Sequence, residues 1–185
     1  MFFPLIIILL GLITESFATS WYSGAVHAKI NEKPPLMLPV ALALIKSSVL
    51  WLGIFLGNLS SDSIPWFYMT MAWALVFIIG LKMLTESLRF NPEERIVIVD
   101  NSKTLLLVSV AGSFNTFFIG ISLGVLKISF INPVLITFAG TILLGFFALI
   151  FGKKYGLRPI VRYINITSAV LIALIALRFF ILYFL

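Results

Sequence analysis

The amino-acid sequence predicts an all-α, polytopic membrane protein with six transmembrane helices, arranged as two inverted three-helix repeats. Composition is the first reason, because 61% of the 185 residues are hydrophobic and only 11% are charged, whereas soluble domains carry about 25% charged residues. Too little polar material is present to cover the surface of a soluble domain of this size, so lipid is the expected solvent. The number of helices is predicted from six segments that are nearly long enough to span a membrane. The repeats are predicted from polar positions that match between the two halves.

The first half contains three apolar segments close to the roughly 20 residues that a membrane-spanning helix needs. The first runs from Phe3 to Tyr22 and is followed by a loop, residues 23–35, that includes His27. The second runs from Leu36 to Gly57, and the third runs from Pro65 to Ser87.

The second half contains three further segments: Thr104 to Leu126, Asn132 to Phe151, and Ile160 to Leu182. We therefore expect residues 1–185 to form a single transmembrane domain. Repeat one covers about residues 3–87, repeat two covers about residues 104–182, and a cytoplasmic loop, residues 88–103, joins them. Gly53 and Gly57, like Gly120 and Gly124, have the spacing of small residues at close helix contacts.

Basic residues are distributed unevenly among the connecting loops. The second and fourth loops contain one, Lys127. The first, third and fifth loops contain eight: Lys29, Lys33, Arg89, Arg95, Lys103, Lys153, Lys154 and Arg158. The positive-inside rule places these eight in the cytoplasm and both termini outside, in a bacterial inner membrane.

The two halves resemble each other at polar as well as apolar positions. Glu15 aligns with Asn115, and residues 72–82 align with residues 168–178. Three spans in each half mean that the second half enters the bilayer from the opposite side. Inverted repeats of this kind build transporters that work by alternating access around a site near the midplane.

Glu15 lies in the middle of the first segment, where an ionised carboxylate costs at least about 2.5 kcal/mol and is normally retained for a function. At 1.5 Å per residue, Glu15, Lys46 and Asn115 all lie roughly 10–17 Å from the cytoplasmic edge, so they can share one layer. We expect Glu15 to pair with Lys46, either in a functional site or in a purely structural salt bridge. Lys82 and Glu86, four residues apart near the cytoplasmic end of the third segment, are expected to pair with each other.

The sequence lacks the features of several classes of function. There are no cysteines, so there is no disulfide or thiolate metal site. The net charge of +6 is accounted for by the loops, so nucleic acid is not an expected partner, and the expected partners are the lipid bilayer and a small ion or solute. No HExxH, P-loop, dinucleotide-binding glycine pattern or serine–histidine pair is present, so we expect neither an enzyme nor a tightly bound cofactor.

Four stretches of the sequence carry a family resemblance: Gly11 to Ser20, Gly80 to Glu86, Ser113 to Gly124, and Gly152 to Lys154. They resemble the bacterial manganese efflux pumps of the MntP type, within the LysE transporter superfamily. The resemblance extends over nearly the whole chain in the number and order of spans and in loop lengths. It implies an integral membrane transporter that exports a divalent cation such as Mn²⁺.

The resemblance also implies roles for five residues. In the family, helices one and four each carry an aspartate thought to handle the cation, and Glu15 and Asn115 are the implied oxygen ligands at these positions. Lys46 falls where the family has a further acid, and would act as a counter-ion that changes places with cargo or proton. Lys82 and Glu86 match a basic residue and a glutamate of helix three. They would gate the cytoplasmic mouth or orient the cargo there.

The charges of this layer leave other functions open. Hard divalent cations prefer carboxylate and carbonyl oxygens, and three acids would supply a charge of −3, whereas Glu15, Lys46 and Asn115 sum to zero. A neutral layer also suits an exporter of the same fold for a zwitterionic amino acid or another small solute, or a proton relay. A membrane protein that no longer transports and serves as an interaction partner is the third possibility. The sequence specifies no oligomeric state.

Overall fold

The computed structural model describes residues 2–30, 35–59, 65–89 and 102–184. Regular structure within these ranges is entirely helical: α1 Phe2–Lys29, α2 Met37–Leu59, α3 Pro65–Arg89, α4 Ser102–Ala111, α5 Phe114–Val125, α6 Ile131–Tyr155 and α7 Ile160–Phe184. Among the described residues, five helices are long and apolar enough to cross a membrane, and α4 with α5 makes a sixth span if this bent pair counts as one. The prediction of an all-α, multi-pass membrane protein is confirmed. The predicted connecting loop, residues 88–103, lies mostly outside the described residues.

The first helix is longer than predicted, which corrects the assignment of His27 to a loop. α1 continues about two turns past Tyr22, and His27 is only 2% exposed. His27 Nδ1 lies 2.8 Å from the carbonyl oxygen of Ser23, which can only accept, so this nitrogen carries the proton. The extension is stabilised by close packing on α6, because Gly24 lies directly against the backbone of Leu149.

The fourth predicted segment is not a continuous helix. α4 and α5 are separated at Gly112 and Ser113, and their axes differ by 43°. Glycine weakens a helix interior, and Ser113 Oγ donates to the carbonyl of Ser109 (2.7 Å), a side-chain bond that bends helices. The Ser113 amide then bonds to the carbonyl of Val110, three residues back (3.0 Å). As a result Asn115 lies in the first turn of a new helix.

The helices pair across the two halves of the chain. α1 packs mainly on α6, α2 on α5, and α3 on α7. α2 also contacts α6, while α1 contacts α7 and α3 contacts α5. Each long helix of the first half therefore has its main partner in the second half, and the interior of the bundle forms between the halves.

Two glycine pairs allow α2 and α5 to approach closely. A Cβ on Gly53 would lie 2.9 Å from the Cα of Gly120, and a Cβ on Gly57 would lie 3.0 Å from the Cα of Gly124. Any side chain at these four positions would push the two backbones apart. The prediction that the two small-residue pairs serve packing is confirmed.

Apolar side chains also cover the outside of the bundle. Leu143, Phe147 and Ile150 on α6 and Leu174 on α7 are more than half exposed. An exposed apolar surface of this extent is unfavourable in water and favourable in a bilayer. The described helices therefore have the surface of a membrane-embedded bundle.

Candidate functional site

Glu15 and Lys46 form an ion pair between α1 and α2. Lys46 Nζ lies 3.1 Å from Glu15 Oε2, and the two side chains are 1% and 14% exposed for Lys46 and Glu15 respectively. The ammonium also donates to the carbonyl of Leu12 (2.8 Å) and to Ser16 Oγ (2.9 Å). An ammonium has three protons to donate, so Lys46 is fully satisfied by α1. The expected pairing of these two residues is confirmed.

Asn115 connects this ion pair to α3. Its Nδ2 donates to Glu15 Oε1 (3.0 Å), and its Oδ1 accepts from Lys82 Nζ (2.9 Å). The orientation of the amide is therefore determined, since the reverse orientation would place the NH₂ group against an ammonium. The bend between α4 and α5 positions Asn115 for both contacts. The sequence placed Glu15 and Asn115 in one layer but did not predict the Lys82 contact.

Lys82 and Glu86 complete a chain of polar side chains across four helices. Lys82 Nζ lies 3.6 Å from Glu86 Oε1, and both side chains are partly exposed. The chain runs from Lys46 on α2 through Glu15 on α1 and Asn115 on α5 to Lys82 and Glu86 on α3. Two carboxylates and two ammonium groups give it a net charge of zero. All five residues singled out from the sequence are thus brought together.

A cleft leads to the two carboxylates from one end of the bundle. Its volume is about 450 Å³, and it is lined by residues of α1, α3, α4 and the break that follows α4: Glu15, Ala18, Thr19, Tyr22, Glu86, Thr104, Leu107, Val108, Ala111 and Gly112. Elsewhere on α1 and α2, the aliphatic side chains of Ile8, Leu9, Leu50 and Ile54 are fully buried. Glu15 lines this cleft, whereas Lys46 is not among the residues that line it.

Two polar residues of α7 were missed by the sequence analysis. Arg162 donates to the carbonyls of Ser87 (3.1 Å) and Leu88 (2.6 Å), so it caps the carboxyl end of α3. Asn165 is 9% exposed and lines a small cavity together with Glu15 and Glu86. A polar residue inside an apolar span was the signal available in the sequence.

No group of three or more His, Cys, Asp or Glu side chains in the described residues is placed to hold a metal ion. Any divalent cation at this site would therefore rely on two carboxylates, supplemented by amide, hydroxyl, backbone or water oxygens. Such mixed oxygen donors suit Mn²⁺, Mg²⁺ and Ca²⁺ better than softer metals.

A multi-pass helical protein with ionisable side chains within its spans, two of which line a cleft, has the features of a membrane transporter. Comparison with known proteins assigns the family. The chain belongs to the family Mntp, described as "Putative manganese efflux pump", whose model matches residues 29–180.

Relatives with names of the same kind occur in bacteria and archaea. A protein of Clostridium botulinum (strain Hall) named "Putative manganese efflux pump MntP 2" is 27% identical over 95% of this chain and 92% of its own length. The relative from Wolinella succinogenes, "MntP 1", is 29% identical over 82% of each chain. The relative from Methanothermobacter thermautotrophicus is 29% identical over 82% of this chain and 81% of its own. No solved structure matches the chain significantly.

Proposed function

We propose that this protein exports Mn²⁺, or a divalent cation of similar chemistry, from the cytoplasm by alternating access. Family membership and the printed names of the relatives support the cargo. The observation that carries the proposal is the position of Glu15, a carboxylate buried at the middle of a spanning helix. It lines a cleft of about 450 Å³, and the aliphatic side chains of Ile8, Leu9, Leu50 and Ile54 on α1 and α2 are fully buried. Access to a binding group from one side at a time is what alternating access requires.

The proposal includes an inverted-repeat architecture within a single transmembrane domain, residues 1–185. The helix pairing supports it. In such a repeat, α1 corresponds to α4 with α5, α2 corresponds to α6, and α3 corresponds to α7. The contact of α1 with α6 then corresponds to the contact of α2 with α4 and α5, and the contact of α1 with α7 corresponds to that of α3 with α5. The contacts of α2 with α6 and of α3 with α7 correspond to themselves. A twofold axis between repeats at about residues 3–87 and 104–182 would produce this pattern.

The proposed membrane is the bacterial inner membrane, with both termini outside and the eight basic loop residues in the cytoplasm. In this orientation the cleft faces the cytoplasm, because its lining residues Tyr22 and Thr104 lie in the half of α1 and the first turn of α4 that are nearer to the basic loops. The structure would then correspond to the state that loads its cargo.

Glu15 is the proposed carboxylate ligand or proton carrier. Lys46 is its counter-ion in the absence of cargo, and Lys82 with Glu86 lies at the cytoplasmic mouth. A role for the Asn115 oxygen as a cation ligand stays a prediction, because in this conformation that oxygen accepts from Lys82. The buried position of Lys46 argues against export of a zwitterionic amino acid, since a substrate in the cleft would not meet its ammonium.

The test is cellular manganese content in a strain without its own manganese exporter. Empty vector, wild type, Glu15→Ala and the lipid-facing control Leu143→Ala are compared under manganese stress, with membrane insertion checked by immunoblot. We expect wild type and Leu143→Ala to lower cell manganese and Glu15→Ala to resemble empty vector. Well-inserted wild-type protein that leaves cell manganese unchanged would show that manganese export is wrong. A stable protein partner retrieved in detergent would then support a non-transporting role.

A further inference from the structure

A second, much smaller cavity lies beside Glu15, between α1, α3 and α7. Its volume is about 10 Å³, close to the space that holds one water molecule. It is lined by five residues: Glu15, Met83, Glu86, Ser87 and Asn165. The larger cleft also reaches Glu15 and Glu86, so an ion that enters through the cleft meets the two carboxylates that border the small cavity.

Asn165 lines this cavity and carries a side-chain oxygen, Oδ1, without a hydrogen-bond partner in the described residues. The side chain is 9% exposed. A buried carbonyl oxygen without a partner is unfavourable and needs a specific explanation. Asn115 offers the contrast, since both ends of its amide are engaged by Glu15 and Lys82. The Asn165 oxygen is therefore an acceptor whose partner is not part of the described protein.

We propose that Glu15, Glu86 and Asn165 form the binding site of the exported divalent cation. This inference rests on the proposed export function and names the residues that hold the cargo. The two carboxylates supply charged oxygen ligands, and the amide oxygen adds a neutral ligand of the kind that hard divalent cations accept. Water from the cleft completes the coordination shell.

The ammonium groups around the site do not prevent this arrangement. Lys46 approaches Glu15 Oε2, and Lys82 approaches Glu86 Oε1 at 3.6 Å. Each carboxylate has about four lone-pair sites, so the contacts of Glu15 with Lys46 and Asn115 leave lone pairs that can also face a cation. The site differs from the one expected from sequence, because Asn165 takes the place of Asn115 as the amide ligand. Asn115 becomes a positioning residue that holds Glu15 through Nδ2.

The experiment is titration of purified protein in detergent with Mn²⁺, followed by calorimetry and by the metal-dependent rise in unfolding temperature. Asn165→Ala and Glu86→Gln each remove one proposed ligand, and we expect them to weaken Mn²⁺ binding at least about tenfold, the lower end of what loss of even an outer partner costs at metal sites. Asn165→Asp supplies a third carboxylate and is expected to bind at least as tightly as wild type.

Thr141→Val is the matched control. It removes another buried oxygen without a hydrogen-bond partner in the described residues, on α6 and outside the cavity, so Mn²⁺ affinity should not change. Loss of binding in Asn165→Ala with recovery in Asn165→Asp separates ligation from misfolding.

The outcomes distinguish the site from the function. If wild type binds Mn²⁺ and lowers cell manganese, while Asn165→Ala and Glu86→Gln bind it as wild type does, the proposed site is wrong and export stands. If wild type neither binds Mn²⁺ nor lowers cell manganese, the proposed function fails and the site fails with it.

Discussion

Lys46 explains how a carboxylate can stay buried in this bundle without cargo. Its ammonium bonds to the Leu12 carbonyl, Glu15 and Ser16, and thereby compensates Glu15 from the side away from the cleft. Family resemblance places an acid at this position, so the layer here carries a fixed internal cation instead of an additional negative charge. The ion pair of Lys46 and Glu15 therefore has a net charge of zero.

Replacing Lys46 should reveal this compensation. We expect Lys46→Met to lower the unfolding temperature of the metal-free protein by about 10 °C, because removing one partner of a buried ion pair costs about 3–5 kcal/mol. The double variant Lys46→Met with Glu15→Gln should recover much of the loss, since no buried charge then remains unpaired. Thermal unfolding in detergent measures both effects.

The exposed Lys153→Met is the control for this cycle and should leave the unfolding temperature nearly unchanged. An unfolding temperature of Lys46→Met equal to that of wild type would contradict a stabilising role for the pair.

At the scale of elements, two features of the fourth span determine where Asn115 lies. The break at Gly112 and Ser113 starts a new helix just before it. The glycine contact between α2 and α5 then holds that helix close to the bundle interior. The position of the Asn115 side chain thus depends on backbone contacts one to two turns away along α5.

Closing the gap at this helix contact should destabilise the protein. A Cβ on Gly120 would lie 2.7 Å from the carbonyl oxygen of Leu50 and 3.0 Å from the Cα of Gly53, and neither backbone atom can move alone. We expect Gly120→Ala to lower the unfolding temperature by on the order of 5 °C, as overpacking costs about 1–3 kcal/mol. Gly140→Ala is the comparison variant, because the three atoms nearest to its Cβ all belong to the side chain of Ile13 and none to a backbone.

Thermal unfolding of the two variants tests whether the α2–α5 contact requires glycine. If Gly120→Ala is no less stable than Gly140→Ala, the α2–α5 contact does not depend on the absence of side chains.

At the scale of the whole molecule, orientation decides which compartment the cleft faces. The chain has no cysteine, so single cysteines can be introduced without a background. We expect Lys127→Cys to react with a membrane-impermeant maleimide in intact cells, and Lys154→Cys to react only after permeabilisation, because the positive-inside rule places the basic loop in the cytoplasm. The opposite labelling pattern would reverse the proposed direction of access.

Several properties of the protein follow from sequence alone. Membrane class and the presence of five to six spans depend on the length and composition of apolar segments, which are local quantities. The Glu15–Lys46 pair also follows, because a buried charge needs an opposite charge and Lys46 was the basic residue at the same depth.

Other properties were decided only by tertiary structure. Packing against α6 keeps His27 helical where the sequence predicts a loop, and the contacts of Asn115 and Asn165 depend on which faces of α1, α3, α5 and α7 meet. An asparagine within an apolar span indicates that a partner is needed but not which one. The partner is set by helix rotation and crossing, which result from side-chain packing along whole helices and are not encoded at any single position.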